Sequence, residues 1–230
     1  MTSSKTWENS QEYEMENAIV AMGKDYFKKY CKQLESGDLY ISKGAIPNDL
    51  MFYEFFNNSK ENWINFTKHI NDKVCLDIGP CILSPLVSWD IASKRYLIEP
   101  LYKRVYEWQL NNLGKSVFED LICYGHAAEI PIPELIGKVN GAILCRNILD
   151  HTPNWKSILS LISRYATKDC RLLLWTDLDH KGNADIGHYD ITKDIEYFKN
   201  LIKNLGFKIV REYQDLHRDT INYGCFSIKE

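Results

Sequence analysis

The chain has 230 residues and 45% of them are hydrophobic, which is enough for one complete hydrophobic core and a small additional unit. Its 28 Lys and Arg residues nearly balance 31 Asp and Glu residues, so a net charge of -3 leaves no basic surface of the kind that binds nucleic acid. The sequence has no run of about 20 apolar residues, the length that a membrane span requires, and it begins without a signal-peptide pattern. We therefore expect a cytoplasmic protein whose partners include neither nucleic acid nor a membrane.

The first third of the chain shows helical periodicity only. The spacing of its apolar residues predicts one helix within residues 14–34 and shorter helices at 48–58 and 60–70. We predict that residues 1–71 form an N-terminal helical cap or lid on a second domain, residues 72–230.

Aromatic residues are frequent in this predicted cap. Trp7, Tyr13 and Tyr26 are candidates for covering a bound ligand, because a lid that excludes water favours catalysis. The aromatic-rich stretch 49–63 is interpreted as a packing surface, either internal or against a second copy of the chain in a homodimer.

After residue 71, short apolar runs alternate with helical segments. Five runs are predicted strands: Val74–Ile78, Tyr96–Ile98, Phe118–Cys123, Ala142–Cys145 and Arg171–Trp175. Such alternation is typical of a largely parallel sheet that helices cover on both faces.

The end of the chain follows a different pattern. A helix that ends at Gly206 is followed by a sixth strand, and the final strand at 220–230 comes only a few residues later. So short a gap suits a hairpin, which makes the last strand antiparallel. The predicted fold is α/β, with a Rossmann-like seven-stranded mostly parallel sheet, an antiparallel last strand and the N-terminal helical cap.

The stretch "LDIGPC" at the end of the first strand is the first candidate site, since ligands bind at the carboxyl ends of parallel strands. A dinucleotide site requires G-x-G-x-x-G, whereas this chain has Gly79, Cys81 and Ser84 at those positions. A pyrophosphate is therefore disfavoured. Glu99 ends the second strand roughly 20 residues after Asp77, the separation of a carboxylate that accepts from ribose hydroxyls. The pattern favours a nucleoside without phosphates.

These segments resemble the class I S-adenosylmethionine-dependent methyltransferases. "LDIGP" is similar to their first motif and "IEP" to their acidic second motif, while "GHAAEIPIP" is similar to the segment beside the adenine. The stretches "EPLYKRVY", "CRNILDHT" and "DIGHYDIT" together resemble a bacterial subgroup that has an N-x-L-D-H segment after strand four. The resemblance covers residues 72–230 and has every motif in the expected order.

The resemblance implies a set of residues that bind S-adenosylmethionine. They are Asp77, Gly79, Pro80, Cys81, Glu99, Pro100, Leu101, Ala127, Ala128, Glu129, Cys145 and Arg146. The turn after Asp77 would hold the methionine end and Glu99 the ribose. Structural interpretations also exist: Asp77 as a turn former, Glu99 as a solvated charge and Pro100 as a first-turn helix proline.

Methyl transfer to a hydroxyl requires an aligned acceptor and a group that removes its proton. His151 is the first candidate base, because it follows strand four directly, and His188, after strand five, is the second. Asp150 is expected to point away from His151 if this segment is helical, where it could orient a partner or itself act as the base.

A metal site is the minor alternative. Asp177, His180, His188 and His151 could supply oxygen and nitrogen ligands, but their spacing matches no compact ligand motif, and no metal is predicted.

The sequence thus predicts a methyltransferase that uses S-adenosylmethionine to O-methylate a small-molecule or sugar-type hydroxyl, such as a glycan acceptor. Two alternatives remain open. One is a nicotinamide-dependent oxidoreductase on the same architecture, and the other is a non-catalytic binding or scaffold protein with a methyltransferase-like fold.

Overall fold

The computed structural model describes residues 15–16, 55–56, 59–82, 84–179, 188–217 and 220–230. The predicted helices at 14–34 and 48–58 lie outside these residues, apart from two residues of each, and so do Trp7, Tyr13, Tyr26 and His180. The N-terminal cap and the domain division after residue 71 therefore stay predictions.

Helices and strands alternate along the described chain. In order they are α1 (Lys60–Ile70), β1 (Val74–Ile78), β2 (Lys94–Ile98), α2 (Tyr102–Leu113), β3 (Ile122–Tyr124), β4 (Ala142–Arg146), α3 (Trp155–Tyr165), β5 (Arg171–Asp179), α4 (Ile195–Asn204), β6 (Phe207–His217) and β7 (Thr220–Lys229). Short 3-10 turns lie at Pro85–Ser88, Pro133–Leu135 and Leu149–His151. Among the described residues, no helix has both the length and the apolar composition to cross a bilayer.

The strands form one seven-stranded sheet in the order β3-β2-β1-β4-β5-β7-β6. Strands β1 to β5 are parallel, and β7 pairs antiparallel with both β5 and β6. The predicted fold class is confirmed, including the antiparallel last strand. Strand order reverses between β1 and β4, so the carboxyl ends of these two strands flank the place where open α/β sheets bind ligands.

Each face of the sheet carries its own hydrophobic cluster. Along β5, Leu172 and Leu174 are buried in one cluster with α3 and α4, whereas Leu173 and Trp175 are buried in the other with α1 and α2. This alternation follows from the two-residue period of a strand, because neighbouring side chains point to opposite faces. Helices thus cover both faces, as the run of apolar residues in β5 predicts.

Helix α1 confirms the predicted helix at 60–70 and packs directly on the sheet. The Ser59 side chain accepts a hydrogen bond from the Asn62 backbone N–H, which caps the first turn. Trp63, Phe66 and Ile70 lie on one face of the helix and are buried. Trp63 also contacts Phe56 at 5.1 Å between ring centroids, so part of the aromatic-rich stretch packs inside this chain.

The third strand differs from its prediction. It was expected at Phe118–Cys123, but β3 spans Ile122–Tyr124. Phe118 lies in a turn, because the buried Gln109 side chain of α2 accepts hydrogen bonds from the Ser116 hydroxyl and the Val117 N–H. Phe118 is buried all the same, so its apolar character reflects packing rather than strand pairing.

A glycine in β7 allows two aromatic rings to stack across the sheet. Gly224 lies opposite Trp175 of β5 and Tyr213 of β6, whose ring centroids are 5.1 Å apart. A Cβ atom at position 224 would overlap the Trp175 ring. We expect Gly224→Ala to lower the free energy of unfolding by about 1–3 kcal/mol, the usual effect of overpacking.

Urea denaturation of the Gly224→Ala variant measures this change. The matched control is Gly125→Ala, because the nearest heavy atom to a Cβ there is the Tyr102 Cβ at 3.9 Å, an ordinary contact. Equal stability of the two variants would contradict the proposed role of Gly224.

Candidate active site

A cleft opens at the carboxyl edge of the sheet, between β1, β2 and β4. The cleft is small and partly open to solvent. Its lining residues are Gly79, Pro100, Ala127, Ala128, Glu129, Ile148, His151, Thr152 and Ile158. The structure therefore brings five of the predicted cofactor residues together with one predicted catalytic residue. Ile148, Thr152 and Ile158 are lining residues that the sequence did not predict, although Ile148 and Thr152 lie within the quoted "CRNILDHT" segment.

Asp77 lies in β1 and is completely buried. Its Oδ2 accepts a hydrogen bond from the Ser84 hydroxyl at 2.7 Å and lies 3.9 Å from the Arg146 Nη2. Its Oδ1 has no hydrogen-bond partner among the described residues. Burial raises the pKa of Asp77 to about 6, against the opposing effects of the Arg146 guanidinium and the Ser84 hydroxyl. Asp77 is thus more than a turn former.

The turn after β1 requires left-handed backbone at two positions. Gly79 has φ +65°, and a Cβ there would lie 2.7 Å from the Ile148 Cδ1, so a side chain at this position meets both strain and a clash. Cys81 has φ 54° although it is not glycine, a conformation that costs about 1–2 kcal/mol. A glycine at position 81 would adopt this left-handed conformation without that cost. Pro80, between them, is buried.

Glu99 joins the end of β2 to the β1 turn. Its Oε2 accepts from the Cys81 N–H at 2.7 Å, and its Oε1 accepts from the Leu101 N–H at 2.9 Å. Glu99 is only 3% exposed, which contradicts its interpretation as a solvated charge. Burial raises its pKa to about 7, although the Leu101 and Cys81 N–H groups favour the charged form. Each carboxylate oxygen keeps acceptor capacity for a further donor.

Two segments form the side walls of the cleft. Pro100, which follows Glu99, lies in one of these segments, and Ala127, Ala128 and Glu129 form the other. Leu101 is buried and immediately precedes α2. Glu129 accepts a hydrogen bond from the Thr152 hydroxyl. This bond ties the wall to the segment after β4.

The last two predicted cofactor residues end β4 and lie in different surroundings. Cys145 is completely buried in the cluster that includes α3, so its side chain does not face the cleft. Arg146 lies beside Asp77 with its side chain 12% exposed. Of the two residues, Arg146 is therefore the one that makes a charged contact, with Asp77 of β1.

The predicted catalytic residues form a compact group after β4. His151 Nε2 lies 3.7 Å from Asp150 Oδ2, and the ring centroids of His151 and His188 are 4.5 Å apart in an edge-to-face arrangement. The expectation that Asp150 points away from His151 is wrong, because residues 149–151 form a tight 3-10 turn rather than an α-helix. Asp150 is completely buried and His151 borders the cleft.

His188 reaches this group through a backbone contact. The Tyr189 N–H donates to the Asp150 carbonyl oxygen at 2.6 Å, which holds the segment after β5 against the turn at Leu149–His151. Among the described residues, Asp150, His151 and His188 lie close enough together to hold a metal ion. Asp177, a ligand in the alternative metal site, does not belong to this group. His180 lies outside the described residues.

No model of a protein family matches this sequence, and no curated protein sequence matches it. Solved structures do match its fold. A proposed sarcosine dimethylglycine methyltransferase from Galdieria sulphuraria matches with a TM-score of 0.57 and 12% identity, over 74% of this chain and 83% of that one. An S-adenosylmethionine-dependent methyltransferase from Aquifex aeolicus matches with a TM-score of 0.52 and 12% identity, over 86% of this chain and 98% of that one. The chain thus has the Rossmann-like fold of these methyltransferases.

The same fold also occurs in a protein with a different reaction. The [4+2]-cyclase SpnF matches with a TM-score of 0.53 and 11% identity, over 72% of this chain and 78% of that one. Since one fold carries more than one chemistry, the reaction of this chain has to be argued from its own site residues.

The buried carboxyl of Glu99 predicts a pH dependence of stability. Its pKa is about 7 in the folded chain against about 4.5 when unfolded, so between these values the folded state binds more protons. Stability is then greater at acid pH and falls as pH rises from 4.5 to 7, by up to about 3 kcal/mol for this group. We expect Glu99→Gln to make this fall less steep. Urea denaturation at pH 5.0 and 7.5 measures the difference between the two chains.

The control for this experiment is Glu119→Gln, since Glu119 is exposed and lies outside the cleft. It should retain the pH dependence of the unchanged chain. If Glu99→Gln also retains it in full, burial of an ionisable Glu99 is not its source.

Proposed function

We propose that the protein is an S-adenosylmethionine-dependent methyltransferase that acts on a hydroxyl group of a small molecule or sugar. The observation that carries this proposal is the cleft itself. Gly79, Pro100 and the segment 127–129, which the sequence resemblance assigns to the cofactor, line this cleft together with His151. A nucleoside cofactor and an acceptor could therefore meet at this cleft.

The acceptor groups beside the cleft fit a cofactor with a positive charge and no phosphate. Asp77 and Glu99 are carboxyl groups at the edge of the sheet where the cleft opens, and Asp77 Oδ1 has no hydrogen-bond partner among the described residues. An ammonium or ribose hydroxyl could donate to these oxygens, whereas the turn lacks the second and third glycines that a pyrophosphate site requires. The Ser84 hydroxyl, at the position of the third motif glycine, is engaged by Asp77. These features favour S-adenosylmethionine over a nicotinamide dinucleotide.

When bound, this cofactor would supply a methyl group on a sulfonium, so that the acceptor oxygen bonds to the methyl carbon as the carbon–sulfur bond breaks and S-adenosylhomocysteine leaves. The residues of this chain have to orient the acceptor and take its proton. His151 is placed for that role, because it borders the cleft. The carboxylate of Asp150, 3.7 Å away, can orient the imidazole and stabilise its protonated form.

The finer assignments rest on the sequence resemblance. The N-x-L-D-H segment at 147–151 supports the bacterial subgroup, and the absence of a basic charge excess supports a small acceptor over nucleic acid. A cytoplasmic location is proposed from the composition of the chain, and a homodimer from its aromatic-rich stretch at 49–63.

Cofactor binding is tested by calorimetry with S-adenosylmethionine, S-adenosylhomocysteine and NAD on the full chain. We expect both sulfur nucleosides to bind and NAD not to bind. Glu99→Gln should weaken their binding at least tenfold, because an amide accepts fewer hydrogen bonds than a carboxylate. Glu119→Gln is the matched control outside the cleft and should bind as the unchanged chain does.

Failure of both sulfur nucleosides to bind would refute the methyltransferase proposal. NAD binding in their place would support the oxidoreductase. Binding that Glu99→Gln leaves unchanged would show that the ribose does not contact Glu99.

The role of His151 is tested by His151→Ala. Formation of S-adenosylhomocysteine is measured with a panel of hydroxylated small molecules and sugars. We expect the variant to bind the cofactor normally but to lose turnover by a factor of about 10²–10⁴, the contribution of a positioned proton acceptor. The control is His69→Ala, because His69 lies on α1 and bonds to the Gly141 carbonyl before β4, away from the cleft. Equal turnover of the two variants would remove His151 from the mechanism.

A further inference from the structure

We propose that Asp150, His151 and His188 bind a divalent first-row transition-metal ion such as Zn²⁺ beside the cleft that His151 lines. This inference rests on the proposed function for its purpose, but the site itself is defined by the three side chains.

The geometry of the group is close to that of a metal site. One ligand atom from each of the three residues lies within 4.8 Å of the others. Two ligands of a tetrahedral Zn²⁺ ion, each at about 2.0–2.2 Å from the metal, are roughly 3.3 Å apart. The 3.7 Å between His151 Nε2 and Asp150 Oδ2 nearly meets that separation already. Binding therefore requires the three ligand atoms, which lie within 4.8 Å of one another, to approach to about this separation.

The donor types select the class of ion. Two imidazoles and one carboxylate suit Zn²⁺, Co²⁺ or Ni²⁺, whereas Mg²⁺ and Ca²⁺ prefer sites built from oxygen. Three protein ligands also leave a coordination position open, which is the arrangement of catalytic rather than structural zinc sites. Because His151 borders the cleft, that open position can face a bound acceptor.

Neighbouring groups hold the ligands in place. The Thr176 hydroxyl lies 3.4 Å from Asp150 Oδ1, which leaves Oδ2 on the side of His151. The Tyr189 N–H donates to the Asp150 carbonyl oxygen and so fixes the residue next to His188. Such outer contacts orient metal ligands and raise the affinity of a site.

A bound ion would change how the acceptor loses its proton. An ion with an open position can coordinate the acceptor hydroxyl and lower its pKa, so that the proton leaves to water. His151 would then act as a ligand and not as the base. Replacement of His151 removes turnover in either case, so metal binding has to be measured directly.

The experiment uses the full chain after dialysis against EDTA. Titration with Co²⁺ is followed by visible absorption, and Zn²⁺, Mg²⁺ and Ca²⁺ are compared by calorimetry. We expect one Co²⁺ or Zn²⁺ ion per chain and no comparable binding of Mg²⁺ or Ca²⁺. His188→Ala should weaken Co²⁺ binding at least tenfold, and His69→Ala should leave it unchanged. Asp150→Asn is the second ligand variant, and circular dichroism confirms that each variant folds.

Absence of stoichiometric Co²⁺ or Zn²⁺ binding would overturn the proposal. So would binding that neither His188→Ala nor Asp150→Asn weakens. Cofactor binding without metal binding would refute the metal site alone, whereas metal binding without cofactor binding would leave the site and refute the proposed methyltransferase.

Discussion

The carboxylate of Glu99 is the interaction on which the candidate site depends. It accepts one hydrogen bond from the turn after β1 and another from the start of α2, so it fixes the spacing between two strand ends. Without these bonds, two backbone N–H groups and a carboxylate would be left unsatisfied near the core, an arrangement that folded proteins avoid. The bonds also support Cys81 in a left-handed conformation that is unfavourable for its side chain.

Two buried carboxyl groups at one sheet edge are costly for stability. Asp77 and Glu99 are both raised in pKa by burial, which means that their charged forms are desolvated. Strongly perturbed groups cluster at functional sites more often than elsewhere, and these two flank the turn that leads into the cleft. Arg146 and Ser84 compensate part of the penalty at Asp77. In the proposed methyltransferase, hydroxyl and ammonium donors of the cofactor would compensate the remainder.

Much of the fold could be predicted from local patterns. The apolar runs at β1, β2, β4 and β5 and the helix at 60–70 all appear where their periodicity indicates, because burial of one face imposes a regular spacing. The third strand was misplaced because Phe118 is apolar for packing, while the side chain of Gln109 holds the preceding residues in a turn. That contact joins residues on different elements, and no local window contains it.

The sequence by itself determined the class of fold and the approximate positions of β1, β2, β4 and β5, because both follow from hydrophobic period and from turn chemistry along the chain. Only the tertiary structure decided which residues meet. The segment after β5 bonds back to Leu178 and to Asp150, and this path places His188 against His151. The tertiary structure also decided that Glu99 is buried and not solvated. The physical reason is that periodicity is a local property, whereas contact and burial depend on the path of the whole chain.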